Sequence, residues 1–174
     1  MSLADDVVKT IRDVPDFPKP GILFKDITPV LSHPELFRRV TDALADAYAN
    51  DRITHVVAIE SRGFIFGAPV AQRLRAGLVP IRKPGKLPAA RAREDYALEY
   101  GTDALEMHTD ALPVEARVLV VDDVLATGGT AAAACRLVEQ VGGTVIGLSF
   151  LMVLGFLEGA EALQGRRIET IVTV

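Results

Sequence analysis

Asp122 and Asp123 stand side by side between an apolar run, Val118-Leu119-Val120-Val121, and a loop, Ala126-Thr127-Gly128-Gly129-Thr130. The run is short, continuous and β-branched, which predicts a strand buried on both faces of a parallel sheet and ending at the acidic pair. In the loop, the paired glycines can take positive φ and leave backbone N–H groups unobstructed. Residues 131–141 have strong helix propensity and stop at Gly142-Gly143, so the expected order is strand, acidic pair, glycine loop, helix N-terminus. Loop N–H groups and a helix dipole aimed at one point make an anion site. The chain contains neither Gly-x-x-x-x-Gly-Lys-Ser/Thr nor Gly-x-Gly-x-x-Gly, and its loop has no lysine; one terminal monophosphate suits it better than a triphosphate. The carboxylates would repel that anion unless they face a sugar diol or a phosphate-bound cation, and together these features imply a ribose 5-phosphate. A plain turn, with capping aspartates and turning glycines, is the competing reading. Against it, adjacent carboxylates at the end of a buried strand are costly without partners, and strand carboxyl ends are where open α/β sheets bind ligands.

Two more buried strands are predicted, at residues 54–59 and 78–82. The first leads into Glu60-Ser61-Arg62-Gly63-Phe64, the second into Arg82-Lys83-Pro84-Gly85-Lys86. Loops at the carboxyl ends of neighbouring strands converge on one crevice. They would bring Arg62, Arg82, Lys83 and Lys86 together in a chain that is acidic as a whole, and a diphosphate is the natural partner of such a cluster. Any one of these cations alone reads as a solvated surface residue. Arg62, lodged between a buried strand and Gly63, is the exception.

The elements that must position these groups follow from composition and periodicity. At 174 residues, 49% apolar and 24% charged, the chain is expected to be one soluble globular domain. A net charge of −4 gives no basic field for nucleic acid. Cys135 has no partner cysteine and reads as a small core residue in a reducing compartment, while His33, His55 and His108 show no metal spacing. The most apolar segment, residues 145–157, is too short to span a bilayer, and residues after Met1 lack a signal-peptide pattern; no membrane and a cytoplasmic location are expected.

A helix is predicted over 3–14 from Leu3, Val7, Val8 and Ile11, followed by a proline-held extended stretch to Gly21 and an apolar segment to Pro29. A second helix should start at Ser32, with Ser32 and Glu35 as a capping box and Leu36, Val40, Leu44 and Ala47 as its buried stripe. Residues 66–76 form the next helix. The connection from Arg82 to Tyr100 is long and weakly periodic, the mark of a functional loop or lid, with residues 97–100 and 104–108 able to pair as a short hairpin. Residues 144–154 form a further buried strand, 155–163 a short helical piece and 167–174 a terminal strand. Strands alternating with helices argue an α/β fold, a doubly wound and mainly parallel sheet flanked by helices.

The stretch from Val118 to Ala133 resembles the phosphoribosyl diphosphate (PRPP) motif of the type I phosphoribosyltransferases. Four further segments are similar to the adenine-specific branch of that family. They are residues 17–29, Glu60-Ser-Arg-Gly-Phe-Ile-Phe-Gly67, Ile81-Arg-Lys-Pro-Gly-Lys-Leu-Pro88 and Leu98-Glu-Tyr-Gly101, in the expected order. The resemblance implies the type I fold, with an N-terminal hood over residues 1–31 and a flexible lid over 84–103. It implies transfer of ribose 5-phosphate from PRPP to adenine N9, with Mg²⁺ carried by PRPP and no direct protein ligand for the metal. Ala126, Thr127, Gly128, Gly129 and Thr130 would hold the 5′-phosphate, and Asp122 and Asp123 the ribose hydroxyls. Ser61, Arg62 and Gly63 would line the diphosphate with Arg82, Lys83 and Lys86. Leu23, Phe24 and Lys25 would form the adenine pocket, Phe24 stacking on the ring. Glu99, beside Tyr100 on the lid, would be catalytic, either assisting loss of the adenine proton or stabilising cationic charge. A homodimer is the family's expected assembly. Lys25 stands where the family commonly has arginine, and the likeness is weaker after Leu154. Two rival readings are an enzyme of this fold for another base and a PRPP-sensing regulator. A regulator would carry an added DNA-binding domain, for which the chain shows neither spare length nor a basic face.

Overall fold

The structure, a computed structural model, describes residues 2–97 and 101–174. In chain order the elements are α1 (Leu3–Thr10), β1 (Arg12–Pro15), β2 (Leu23–Asp26), α2 (Thr28–Ser32), α3 (Pro34–Asp46), β3 (His55–Ile59), α4 (Gly63–Leu74), β4 (Gly77–Ile81) and β5 (Arg91–Ala97). They continue with β6 (Thr102–His108), β7 (Arg117–Leu125), α5 (Gly129–Gln140), β8 (Thr144–Val153), two 3₁₀ turns (Gly155–Leu157 and Gly159–Leu163) and β9 (Ile168–Thr173).

Five strands form one parallel sheet in the order β4-β3-β7-β8-β9, so the strand bearing the acidic pair is the middle one. Its alternate residues serve opposite faces, as strand geometry requires. Val118 and Val120 pack with Leu148, Phe150 and the α5 residues Ala134, Leu137 and Val138 on one side. Leu119 and Val121 pack with Val56, Leu151, Leu44, Phe66 and Val70 on the other. This is the doubly wound α/β arrangement that the alternating pattern predicts.

Several boundaries differ from those expectations, each for a local reason. β7 does not end at the acidic pair; it runs on to Leu125 because the ten-residue β8 keeps pairing with it, Asp122 opposite Phe150 and Leu125 opposite Val153. β3 stops pairing at Val121, so the carboxylates stand where one neighbour has left and the other continues. Ser32 does not cap the second helix. Its Oγ donates to the Pro29 carbonyl within the separate α2, and His33 Nδ1 accepts from the Leu36 N–H at 3.2 Å to cap α3 at Pro34. α1 stops at Thr10; Arg12–Pro15 instead pairs antiparallel with Leu23–Asp26, and Val8, one of the apolar residues that predict the helix, is 50% exposed. α4 begins at Gly63 instead of residue 66, directly after Arg62.

The connection after β4 is more ordered than its weak periodicity suggests. Arg91–Ala97 is a strand, paired throughout with Thr102–His108, and buried Ala92 and Tyr96 pack against the α5 side of the core. Arg82 and Glu106 exchange backbone hydrogen bonds of 2.9 and 2.8 Å, joining this hairpin to the edge of the main sheet. A Glu94–Arg136 ion pair ties it to α5.

A polar cavity and an apolar slot share one wall

At the carboxyl ends of β3 and β7 lies a cavity of about 380 Å³, lined by Glu60, Ser61, Arg62, Lys83, Asp122, Asp123 and, from the loop, Ala126, Thr127, Gly128 and Thr130; Gly129 is not among its lining residues. Gly128 takes the left-handed conformation, φ +83°, and is the N-cap of α5. It is the one loop glycine with positive φ; Gly129 is already helical. A Cβ on Gly128 would stand 2.2 Å from the Gly159 carbonyl oxygen, so the loop lies directly on the second 3₁₀ turn. Among the described residues no side chain caps α5, which leaves its first-turn N–H groups for a ligand in the cavity. Thr127 and Thr130 add hydroxyls to that wall.

The acidic pair is under electrostatic tension. Asp123 is only 3% exposed, and Arg62 Nε lies 2.7 Å from its Oδ2. That contact is an ion pair without hydrogen-bond alignment, and Asp123 Oδ2 accepts no hydrogen bond from the described residues. Asp122 Oδ1 accepts from the Asp123 N–H at 2.9 Å. Burial first, and the charge of Asp123 second, push the Asp122 carboxyl well above the usual carboxylate range. Burial also raises Asp123, with Arg62 opposing it. A buried carboxylate oxygen without a donor is costly, and the hydroxyls of a sugar diol would supply the missing donors. Gly63 lets α4 approach this pair: a Cβ there would meet Asp122 Oδ1 and the Val121 carbonyl oxygen, both at 2.9 Å.

The predicted diphosphate cations separate into two groups. Arg62 and Lys83 line the cavity with Ser61, whereas Gly63, Arg82 and Lys86 are not among its lining residues. Arg82 and Lys86 instead surround Glu60, which accepts from Arg82 Nε at 3.2 Å, from the Lys83 N–H at 2.9 Å and from Lys86 Nζ. Burial alone would raise the Glu60 carboxyl, but these donors outweigh it and hold it down to about 2. Lys83 Nζ donates to the Tyr96 hydroxyl at 2.9 Å and to Asp103. Glu60, Tyr96 and Asp103 are thus site residues that sequence reasoning missed. Glu60 was visible as an acid ending a buried strand, but Tyr96 and Asp103 become neighbours of Lys83 only through the hairpin register.

A smaller slot of about 120 Å³ adjoins the cavity and is lined by Ile22, Leu23, Phe24, Lys25, Arg62, Asp123, Val124, Met152 and Leu154. Arg62, Asp123 and Val124 belong to both. Phe24 is fixed on one side by an edge contact with Phe17, centroids 5.1 Å apart, and Arg62 Cζ lies 5.6 Å from its ring centre. Lys25 Nζ is tied to Asp13 across the β1–β2 hairpin at 2.7 Å. Met152 and Leu154 supply the C-terminal wall, whereas Phe156 is 75% exposed and not among its lining residues. Glu99 and Tyr100 lie outside the described residues. The strand leading to them ends at Ala97, whose carbonyl oxygen would be 3.3 Å from a Cβ on Gly129.

Comparison with known proteins agrees with this geometry. A family model described as a phosphoribosyl transferase domain matches residues 26–164. An adenine phosphoribosyltransferase of Myxococcus xanthus is 56% identical over 172 residues, covering 99% of this chain and 94% of that protein. The crystal structure of adenine phosphoribosyltransferase from Rhodothermus marinus superposes with a TM-score of 0.94 at 52% identity, covering 99% of this chain and 98% of that one. The Saccharomyces cerevisiae enzyme, crystallised with an imino-altritol bisphosphate and adenine, gives a TM-score of 0.91 at 39% identity over 97% of this chain and 98% of that one. With its parallel sheet, its glycine loop and its acidic pair, the chain belongs to the phosphoribosyltransferase family, among the adenine phosphoribosyltransferases.

Proposed function

We propose that this chain transfers the 5-phosphoribosyl group of PRPP to N9 of adenine, forming AMP and diphosphate. The observation that carries this reading is the shared wall: Arg62, Asp123 and Val124 separate a polar cavity built for a sugar phosphate from an apolar slot built for a flat base. A glycosyl carbon held at that wall has its leaving group on one side and its nucleophile on the other.

In this reading the loop from Ala126 to Thr130 holds the 5-phosphate on the α5 N-terminus. Asp122 and Asp123 accept hydrogen bonds from the ribose hydroxyls, which completes the partner set of the buried Asp123 oxygen. Departure of diphosphate leaves an oxocarbenium-like carbon. Fixed carboxylates near the sugar stabilise that charge, while Arg62 and Lys83, with Ser61, stabilise the leaving group. Arg82 and Lys86 extend the positive field from around Glu60. Mg²⁺ would arrive as the PRPP complex, with no direct protein ligand, and would neutralise charge on the diphosphate. Phe24 stacks on adenine, with Leu23 and Lys25 completing its edge. Residues 1–31 serve as the hood and 84–103 as the segment that shields the site. In that segment Glu99, beside Tyr100, acts at the base, either by assisting loss of the N9 proton or by stabilising cationic charge. We further propose a homodimer in the cytoplasm. Among the described residues no helix is long and apolar enough to cross a membrane.

Phe24→Ala tests the assignment of the slot. Stacking of a base on an aromatic ring contributes about 1–3 kcal/mol, so KM for adenine should rise roughly 10- to 100-fold while KM for PRPP stays near its original value. A parallel rise in both constants would mean that Phe24 merely braces the β1–β2 hairpin.

A further inference from the structure

Lys83 reaches the polar cavity from the connection after β4, and its ammonium is gripped from behind by the β5–β6 hairpin. Nζ donates to the Tyr96 hydroxyl at 2.9 Å and to Asp103 Oδ2; the Tyr96 hydroxyl donates to that same oxygen at 3.1 Å. Tyr96 and Asp103 are directly opposed in the hairpin register, so strand pairing sets their separation. The Tyr96 ring is buried, lies 5.5 Å from Nζ at its centre, and comes within 3.6 Å of where a Cβ on Gly129 would stand. One ring therefore touches both the lysine and the first residue of the phosphate-loop helix. An ammonium has three N–H donors, and two are taken by Tyr96 and Asp103, leaving one for the cavity. A free lysine side chain carries about 2 kcal/mol of rotamer entropy, which this arrangement removes before any ligand arrives.

We propose that Asp103 and Tyr96 are positioning residues for the diphosphate group: they lock Lys83 so that its remaining N–H donor faces the leaving group of PRPP. The inference rests on the phosphoribosyl-transfer reading and adds how one of its cations is aimed. It also fixes the sign of an effect. Simple charge counting says that removing Asp103 makes the cavity more positive and strengthens anion binding, whereas loss of positioning weakens it. Lys83 is partly buried, and its acceptors raise its proton affinity despite that burial; it therefore remains charged without strengthening its grip on an anion through titration.

The test is calorimetric binding of magnesium diphosphate alone and of ribose 5-phosphate alone to the intact chain and to Asp103→Ala and Asp103→Asn. The wild-type chain should bind both ligands; failure to bind either would remove the phosphoribosyl-transfer reading itself, before any variant is considered. Asp103→Ala should weaken diphosphate about tenfold, the effect of one lost charge-assisted hydrogen bond, and change ribose 5-phosphate by less than about twofold. Asp103→Asn keeps an oxygen acceptor for Nζ and should recover most of the loss. Unchanged or tighter diphosphate binding in Asp103→Ala would overturn the proposal in favour of a simple counter-charge. Equal weakening of both ligands, with a lowered Tm, would overturn it in favour of a purely structural role for the hairpin.

Discussion

Gly128→Ala is expected to reduce kcat/KM for PRPP by about 100-fold or more, because the phosphate loop cannot keep its place with a side chain there. At φ +83° any L-residue is strained, and the new Cβ would sit 2.2 Å from the Gly159 carbonyl oxygen and 2.8 Å from Ala162 Cβ. The nearer obstacle is backbone, which does not rotate away as a flexible side chain would. Either the loop lifts from the 3₁₀ turn or the turn itself moves. In both cases the N–H groups at the α5 N-terminus leave the point where a phosphate would be held. Backbone strain of this kind also costs on the order of 1–3 kcal/mol of stability, so a lowered Tm should accompany the loss. A melting curve shows whether the variant remains folded, and ribose 5-phosphate titration then reads the loop directly. Near-normal affinity in a folded Gly128→Ala variant would mean that the phosphate is held elsewhere.

Asp123→Asn should lower kcat/KM for PRPP by roughly 100-fold, comparable to removing one preorganised electrostatic contact at a developing charge. The change is nearly isosteric, and its main partner, Arg62, is 40% exposed in its side chain and can turn to water. The fold should therefore survive, and KM for adenine should change far less than the PRPP parameters. The removed charge is one that burial already disfavours and that Arg62, more than any other group, offsets. A protein that keeps such a group must gain from it in function, since replacing it relieves a conflict between two adjacent carboxylates. Equal losses for both substrates would show that the substitution disturbs the sheet instead.

What could be read from the chain, and what could not, divides along the range of the interactions. The buried strands at Val56–Ile59 and Val118–Val121 are apolar without interruption, and such runs announce a parallel sheet before any neighbour is known. The loop from Ala126 to Thr130 was legible because glycine chemistry is local. The end of β7 was not, because it depends on how far β8 accompanies it. Arg82 and Lys86 are legible as cations of the loop after β4, yet their orientation toward Glu60 comes with the bridge between Arg82 and Glu106, a contact across 24 residues of sequence that no local pattern encodes. Likewise, Arg91–Ala97 alternates in burial, with Ala92 and Tyr96 inward and Arg93 and Asp95 facing water, but the charged Glu94 at an inward position, paired with α5, hides that alternation in the sequence; pairing with Thr102–His108 makes it a strand. His33 as a cap in place of Ser32 is a choice between two adjacent polar residues that the Pro34 position decides.

The most direct test of the central claim is AMP formation from PRPP and adenine, with and without Mg²⁺, beside parallel reactions with hypoxanthine and guanine. Membership among the adenine phosphoribosyltransferases, with a polar cavity beside a slot for a flat base, predicts Mg²⁺-dependent release of diphosphate with adenine and little with the other bases. Turnover with hypoxanthine or guanine at the adenine rate, or PRPP binding without turnover of any base, would contradict it.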